Sequence, residues 1–136
     1  MRRCLLDTDV LSLYLRGDAR VTQRVVEYLQ HYTQIEMSII SYYELRRGLV
    51  RINAQRRIEQ LEAFVHSCQL WEVNQEVARE ASEIAGQLAA RGARLDDADV
   101  IIGATARVIG IAVATGNVRH FSRIDGIVVE KWLSGV

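Results

Sequence analysis

The stretch that most constrains this chain is Cys4-Leu5-Leu6-Asp7-Thr8-Asp9-Val10-Leu11-Ser12. A short apolar run stops at an acid, and an apolar pattern with helical spacing resumes at once. Such a pattern predicts a buried strand over residues 3–6 whose carboxyl end delivers Asp7 to a crevice, followed by a helix over residues 9–15. In open α/β sheets ligands bind outside the carboxyl ends of the strands. Asp7 therefore has two readings, a chemical group at such a crevice or the cap of the next helix.

Downstream the pattern repeats. Val21, Val25, Val26 and Leu29 predict a second helix, about 18–30. Residues 34–40 read as a second strand. Ser41 is a candidate N-cap with Glu44 three residues later, the spacing of a capping box. The helix from Tyr42 then forms a hairpin with a partner reaching His66, broken near Asn53. A third strand is expected over 70–73, and Asn74 caps an amphipathic helix that ends near Arg91-Gly92. A fourth strand, 111–114, ends in Thr115-Gly116-Asn117, and an edge strand follows over 126–130. Strands alternating with helices imply an α/β fold, with a parallel five-stranded sheet flanked by helices on both faces. At 136 residues the chain fits one domain, 1–136.

The second informative stretch is Leu95-Asp96-Asp97-Ala98-Asp99-Val100-Ile101-Ile102-Gly103-Ala104-Thr105-Ala106. Three acids in four residues precede a segment apolar on all sides, which is the mark of a buried helix. One acid would suffice as a cap, and three crowd negative charge that a cation, a proton or solvent must relieve. If the strand ends after residues 6, 40 and 114 share an edge, Asp7, Glu44 and Asp99 come together, with Asp96 or Asp97 and Asn117 at the rim. Carboxylates without Lys or His among them suit a hard cation such as Mg²⁺ or Mn²⁺. The chemistry such a site supports is attack of water on a phosphodiester.

Other functions are disfavoured. No apolar run approaches the ~18–20 residues of a membrane helix, and the apolar part of the N-terminus stops at Asp7, too short for a signal-peptide core. A cytoplasmic protein is expected. Cys4 and Cys68 lack metal-ligand or disulfide spacing and read as small buried hydrophobes. Net charge is +0, but all basic residues except Lys131 are arginine. That fits phosphate or carboxylate recognition, and it fits a GC-rich coding bias equally well.

The chain resembles the PIN-domain ribonucleases, and among them the VapC-type toxins of bacterial toxin–antitoxin pairs. The resemblance is carried by five segments in order: Leu5–Ser12, Ile40-Ser41-Tyr42-Tyr43-Glu44-Leu45, Asp97–Ala106, Ala114-Thr115-Gly116-Asn117-Val118-Arg119-His120-Phe121 and Val129-Glu130-Lys131-Trp132. It implies a Mg²⁺-dependent endoribonuclease in which Asp7 and Asp99 bind the metal and Glu44 completes the site. Asn117 stands where a fourth acid is often found, so Asp97 is the residue placed to compensate, with Asp96 left as a helix cap. Thr115 and Asn117 are candidates to hydrogen-bond the attacking water or a phosphate oxygen. Arg46, Arg47 and Arg119 are candidates for RNA phosphate contacts. A homodimer and a cognate VapB-type antitoxin, placing a basic side chain among the acids, are also implied.

Two rival readings fit part of the pattern. Asp7-Thr8-Asp9-Val10 looks like the opening of a haloacid-dehalogenase-type phosphatase, but that chemistry needs a Lys ahead of a later acidic pair, and Lys131 follows Asp96-Asp97. The other is a catalytically weak PIN-fold binding module that acts with its antitoxin partner.

Overall fold

The computed structural model describes residues 1–133. Cys4-Leu5-Leu6 is buried throughout and forms β1 (Cys4–Leu6), the central strand of a five-stranded sheet. An all-apolar strand belongs in the middle of a parallel sheet, where both faces are covered. Around it lie β2 (Glu36–Ser38), β3 (Gln69–Trp71), β4 (Ala112–Thr115) and β5 (Val129–Lys131), in the order β3-β2-β1-β4-β5, all parallel. Leu6 pairs with Ala114, and the Asp7 amide donates to the Ala114 carbonyl at 3.0 Å. The chain leaves β1 towards β2 and β3 and later returns to its other side for β4 and β5. The topological switch point therefore lies between β1 and β4, with Asp7 just past the end of one and Thr115 closing the other.

Alternation along β1 divides the core. Cys4 and Leu6 face a cluster with Val10, Leu11, Val21, Val25 and Tyr28, from α1 (Thr8–Leu15) and α2 (Ala19–Tyr28). Leu5 faces the opposite cluster with Val77, Ile84 and Leu88 of α5 (Gln75–Ala90) and Ile102 of α6 (Asp97–Ile109). A hairpin of α3 (Ile39–Arg51) and α4 (Gln55–His66) covers one side, and a short α7 (Val118–Phe121) follows β4. The hairpin breaks at Asn53, whose φ of 54° is the left-handed conformation Asn tolerates. No described helix is long and apolar enough to cross a membrane.

Buried polar groups on the sheet are matched. The Arg3 guanidinium grips Glu36 through two hydrogen bonds of 2.6 and 2.7 Å, and the Trp71 indole donates to the same carboxylate at 3.0 Å. Burial alone would raise the Glu36 pKa, but these donors win and hold it below its usual value. Cys4 is buried, and Cys68 is partly buried.

The local assignments differ from expectation in one place that matters. The second strand stops at Ser38 instead of residue 40, and Ser38, not Ser41, caps α3. Ser38 has extended backbone angles, and its hydroxyl accepts from the Ile40 amide at 3.1 Å. The run Met37-Ser38-Ile39-Ile40 continues apolar from strand into helix, so hydrophobicity does not mark the boundary. Ser41 is thereby buried inside the helix, and Glu44 sits in its second turn instead of a capping box.

Candidate active site

Each acid is brought to the switch point by a different element. Asp7 holds both roles read from the sequence. It is the N-cap of α1, with Oδ1 accepting from the Val10 amide at 2.9 Å, and it is 3% exposed at the carboxyl edge of the sheet. Its second oxygen accepts a hydrogen bond from the Thr115 hydroxyl. Burial pushes the Asp7 pKa up to about 6, against the lowering effect of these two donors. The charges of Asp9 and Asp99 push it the same way as burial.

Asp99 lies in the first turn of α6, whose buried body packs against the sheet. Gly103 lets Ile124, from the loop after α7, close over α6: a Cβ there would meet Ile124 Cδ1 at 2.5 Å. The Asp99 pKa is also raised, by burial first. The nearby His120 opposes this, whereas Glu44, Asp96 and Asp9 add like-charge repulsion. His120 Nδ1 stands 3.3 Å from Asp99 Oδ2.

Glu44 reaches the cluster from α3. Its Oε1 accepts from the Thr8 hydroxyl at 2.7 Å, and the same hydroxyl lies 2.9 Å from Ser41 Oγ. Thr8 is thus the link that orients Glu44 beside the start of α1. Thr8, Asp9 and Glu44 line a cleft of about 320 Å³ between α1, α3 and α4, together with Arg16 and Arg57.

Thr115 and Asn117 have structural tasks. Thr115 is fully buried, spends its one proton on Asp7, and accepts the Asn117 amide at 2.8 Å. Asn117 caps α7, its Oδ1 accepting from the His120 amide at 3.3 Å. The adjacent acids of α6 diverge. Asp97 is exposed and lines a groove towards α5 with Arg94 and Leu95. Asp96 occupies the N-cap position but makes no side-chain cap hydrogen bond, and its charge is the one that Asp99 feels. Successive helical residues point about 100° apart, so both cannot face the cluster. Of the arginines, Arg46 pairs with Glu62 at 3.2 Å and Arg47 lies over Tyr43, while Arg119 is exposed.

The sequence assigns no role to Thr8 and, of the two adjacent acids it allows at the rim, favours Asp97 for the site and Asp96 for the cap. The available signal for Thr8 was a hydroxyl set between two acids at a strand–helix junction. Among the described residues no three His, Cys, Asp or Glu side chains stand in metal-ligand geometry about one point. The donor chemistry nonetheless fits a hard cation: the carboxylates of Asp7, Asp99 and Glu44 offer oxygen donors, and burial raises the pKa of the first two.

Comparisons with known proteins point to one family. A family model described as the PIN domain matches residues 4–127. Ribonuclease VapC19 of Mycobacterium tuberculosis is 29% identical over 117 residues, covering 86% of this chain and 90% of that protein. The tRNA(fMet)-specific endonuclease VapC of Salmonella typhimurium is 30% identical over 97 residues, 71% of this chain and 74% of that protein. Among solved structures, DNA-bound VapBC from Salmonella typhimurium superposes with a TM-score of 0.87 at 24% identity, covering 98% of this chain and 100% of that one, a likeness of fold. FitAcB from Neisseria gonorrhoeae gives 0.70 at 28% identity over 93% and 95% of the two chains.

Proposed function

The chain belongs to the PIN-domain family, and on that footing we propose that it is a metal-dependent endoribonuclease, the toxin of a toxin–antitoxin pair. The observation that carries this reading is Asp7, a buried carboxyl at the switch point, near the carboxylate of Asp99, which Glu44 neighbours in turn. Asp7 and Asp99 are the residues to hold Mg²⁺ or Mn²⁺. Such an ion, when bound, neutralises charge on the scissile phosphate and lowers the pKa of water.

The chain's own residues do the rest. Thr115 fixes the Asp7 rotamer from one side and the α1 backbone fixes it from the other. Residues that orient a metal ligand in this way commonly affect affinity or activity by about 10–100-fold. Glu44, oriented by Thr8, is placed to accept a proton from the water that attacks phosphorus. As the new P–O bond forms, the bond to the leaving ribose oxygen breaks, and that oxygen takes up a proton. Asn117 acts through its cap of α7, which carries His120 to Asp99.

An antitoxin that inserts Arg or Lys among these acids would satisfy the same carboxylates. A VapB-type partner belongs to this reading, in keeping with the fold shared with the solved VapBC structures. A homodimer is part of the same reading.

The test is cleavage of a structured RNA pool by the antitoxin-free chain with Mg²⁺, Mn²⁺ or EDTA, beside Asp7→Asn and Asp99→Asn. Metal-dependent cleavage lost in both variants is expected. Folded but inert samples throughout would put the binding-module reading ahead.

A further inference from the structure

A second polar pocket, of about 300 Å³, opens between α2 and the end of β5, lined by Arg20, Gln23, Arg24, Glu27, Lys131 and Trp132. Two of its donors are stranded. Trp132 is 4% exposed, and its indole Nε1 is buried without a hydrogen-bond partner among the described residues. Arg24 Nε is buried and unpartnered as well. A buried donor left unmade costs about 1–3 kcal/mol, so two side by side is an unusual arrangement for a fold to keep without use.

The chemistry of the missing partner follows from what is stranded. Both atoms are donors, so the partner brings acceptors. Arg20, Arg24 and Lys131 outnumber the one carboxylate, Glu27, so the acceptor carries negative charge. Arg20 is only loosely held by Asp18, at 3.6 Å on the surface. The indole ring is not on offer as a stacking platform: the Arg24 guanidinium lies 5.7 Å from its centroid, and Tyr28 meets it edge-on at 5.5 Å. Just behind the pocket wall stand an indole N–H and a guanidinium N–H, donors that suit an oxyanion and not a base.

Its place in the fold says which oxyanion. Because β5 is parallel to β4, Lys131 and Trp132 stand at the same sheet edge as the acids. Lys131 pairs with Thr115 in register, and the Trp132 amide donates to the Thr115 carbonyl at 3.0 Å. Thr115 is the residue whose hydroxyl holds Asp7. Neighbouring strands are about 4.8 Å apart, so the pocket flanks the candidate active site by one strand. We infer that Arg24, Trp132 Nε1 and Lys131 form a phosphate subsite for the RNA backbone away from the scissile bond. This inference rests on the nuclease reading.

The experiment measures binding of a single-stranded RNA decamer in EDTA by fluorescence anisotropy across a KCl series, for the parent, Trp132→Phe, Arg24→Gln and Lys131→Gln. Working without metal separates the two readings, because a chain that never cleaves still reports on this pocket. Trp132→Phe removes the donor together with part of the buried ring, so thermal unfolding is run beside it, and in the folded variant RNA affinity should fall about tenfold, within the range of hydrogen bonds to charged groups. Arg24→Gln and Lys131→Gln should each lower the slope of log K against log salt by about 0.7, the value of one single-strand phosphate contact. A Trp132→Phe chain should keep the parent's slope. Lys131 is exposed, so its variant tests the idea even if a buried substitution unfolds the protein. RNA affinity and salt slope unchanged in folded variants would overturn the inference. So would orthophosphate changing Trp fluorescence while RNA binding ignored all three substitutions.

Discussion

Asp7→Asn should abolish cleavage and make the metal-free protein more stable, and the pH dependence of that gain is the informative part. Asp7 ionises at an ordinary value of 3.8 when unfolded, and at about 6 in the fold because burial outweighs its two hydrogen bonds. Between those values the native state keeps a proton that the unfolded state has lost. The unfolded chain then binds fewer protons than the native one, so Asp7's contribution falls as pH rises from about 4 to about 6 and is level above. The gap corresponds to about 3 kcal/mol at neutral pH. Asparagine carries no charge to desolvate, and its carbonyl can still accept from the Val10 amide. For a chain of this length a gain of 1–3 kcal/mol raises Tm by roughly 3–12 °C. The assay is thermal unfolding by circular dichroism in EDTA at pH 3.8, 5 and 7.5. The variant should melt higher than the parent at pH 7.5 and alike at pH 3.8, where both side chains are neutral. Added Mg²⁺ should then raise the parent's Tm and leave the variant's in place. A variant less stable than the parent at pH 7.5, or a gain that ignores pH, would refute the claim that Asp7 is an uncompensated buried charge.

Three further outcomes follow from the contacts. Thr8→Val removes the donor that orients Glu44, so kcat should fall about 10–100-fold while RNA affinity in EDTA holds; equal loss in both would mean a binding defect instead. Asp96→Asn should weaken metal-stimulated cleavage at limiting Mg²⁺, because its charge reaches Asp99, whereas Asp97→Asn, on the α5 side, should titrate like the parent. Tyr28→Phe strips the acceptor from the buried Cys4 amide, 3.0 Å away at the start of β1. Urea unfolding should show a loss of about 1–3 kcal/mol, with cleavage unchanged because the hydroxyl lies at the amino edge of the sheet.

Several features needed only the order of residues along the chain. An apolar triplet that is hydrophobic on both faces can sit only in a covered parallel sheet, so Cys4–Leu6 and its terminal acid announced both the architecture and the crevice. Asn74 capped its helix as expected, and Asn53 broke the hairpin where expected. In each case a local backbone requirement matched a residue type that meets it. Asp7 stands out for the same reason, as a polar group at the end of an apolar strand, and Asp99 as one of three acids crowded ahead of an apolar helix.

Tertiary structure decided what periodicity averages over. Whether Ser38 or Ser41 caps α3 depends on a single backbone turn inside a continuous apolar run. Helical spacing alone sets Asp96, three residues before Asp99, on its side and Asp97 away from it, whereas the packing of α6 decides that this side turns towards the other acids. Thr8 meets Glu44, Thr115 meets Asp7, and Arg24 meets Trp132 across 36, 108 and 108 positions of chain. Sequence spacing carries no trace of such meetings, because they come from the stacking order of strands and the twist of helices laid over them. The chain by itself determined which chemistry was present, and the packed sheet decided which groups share it.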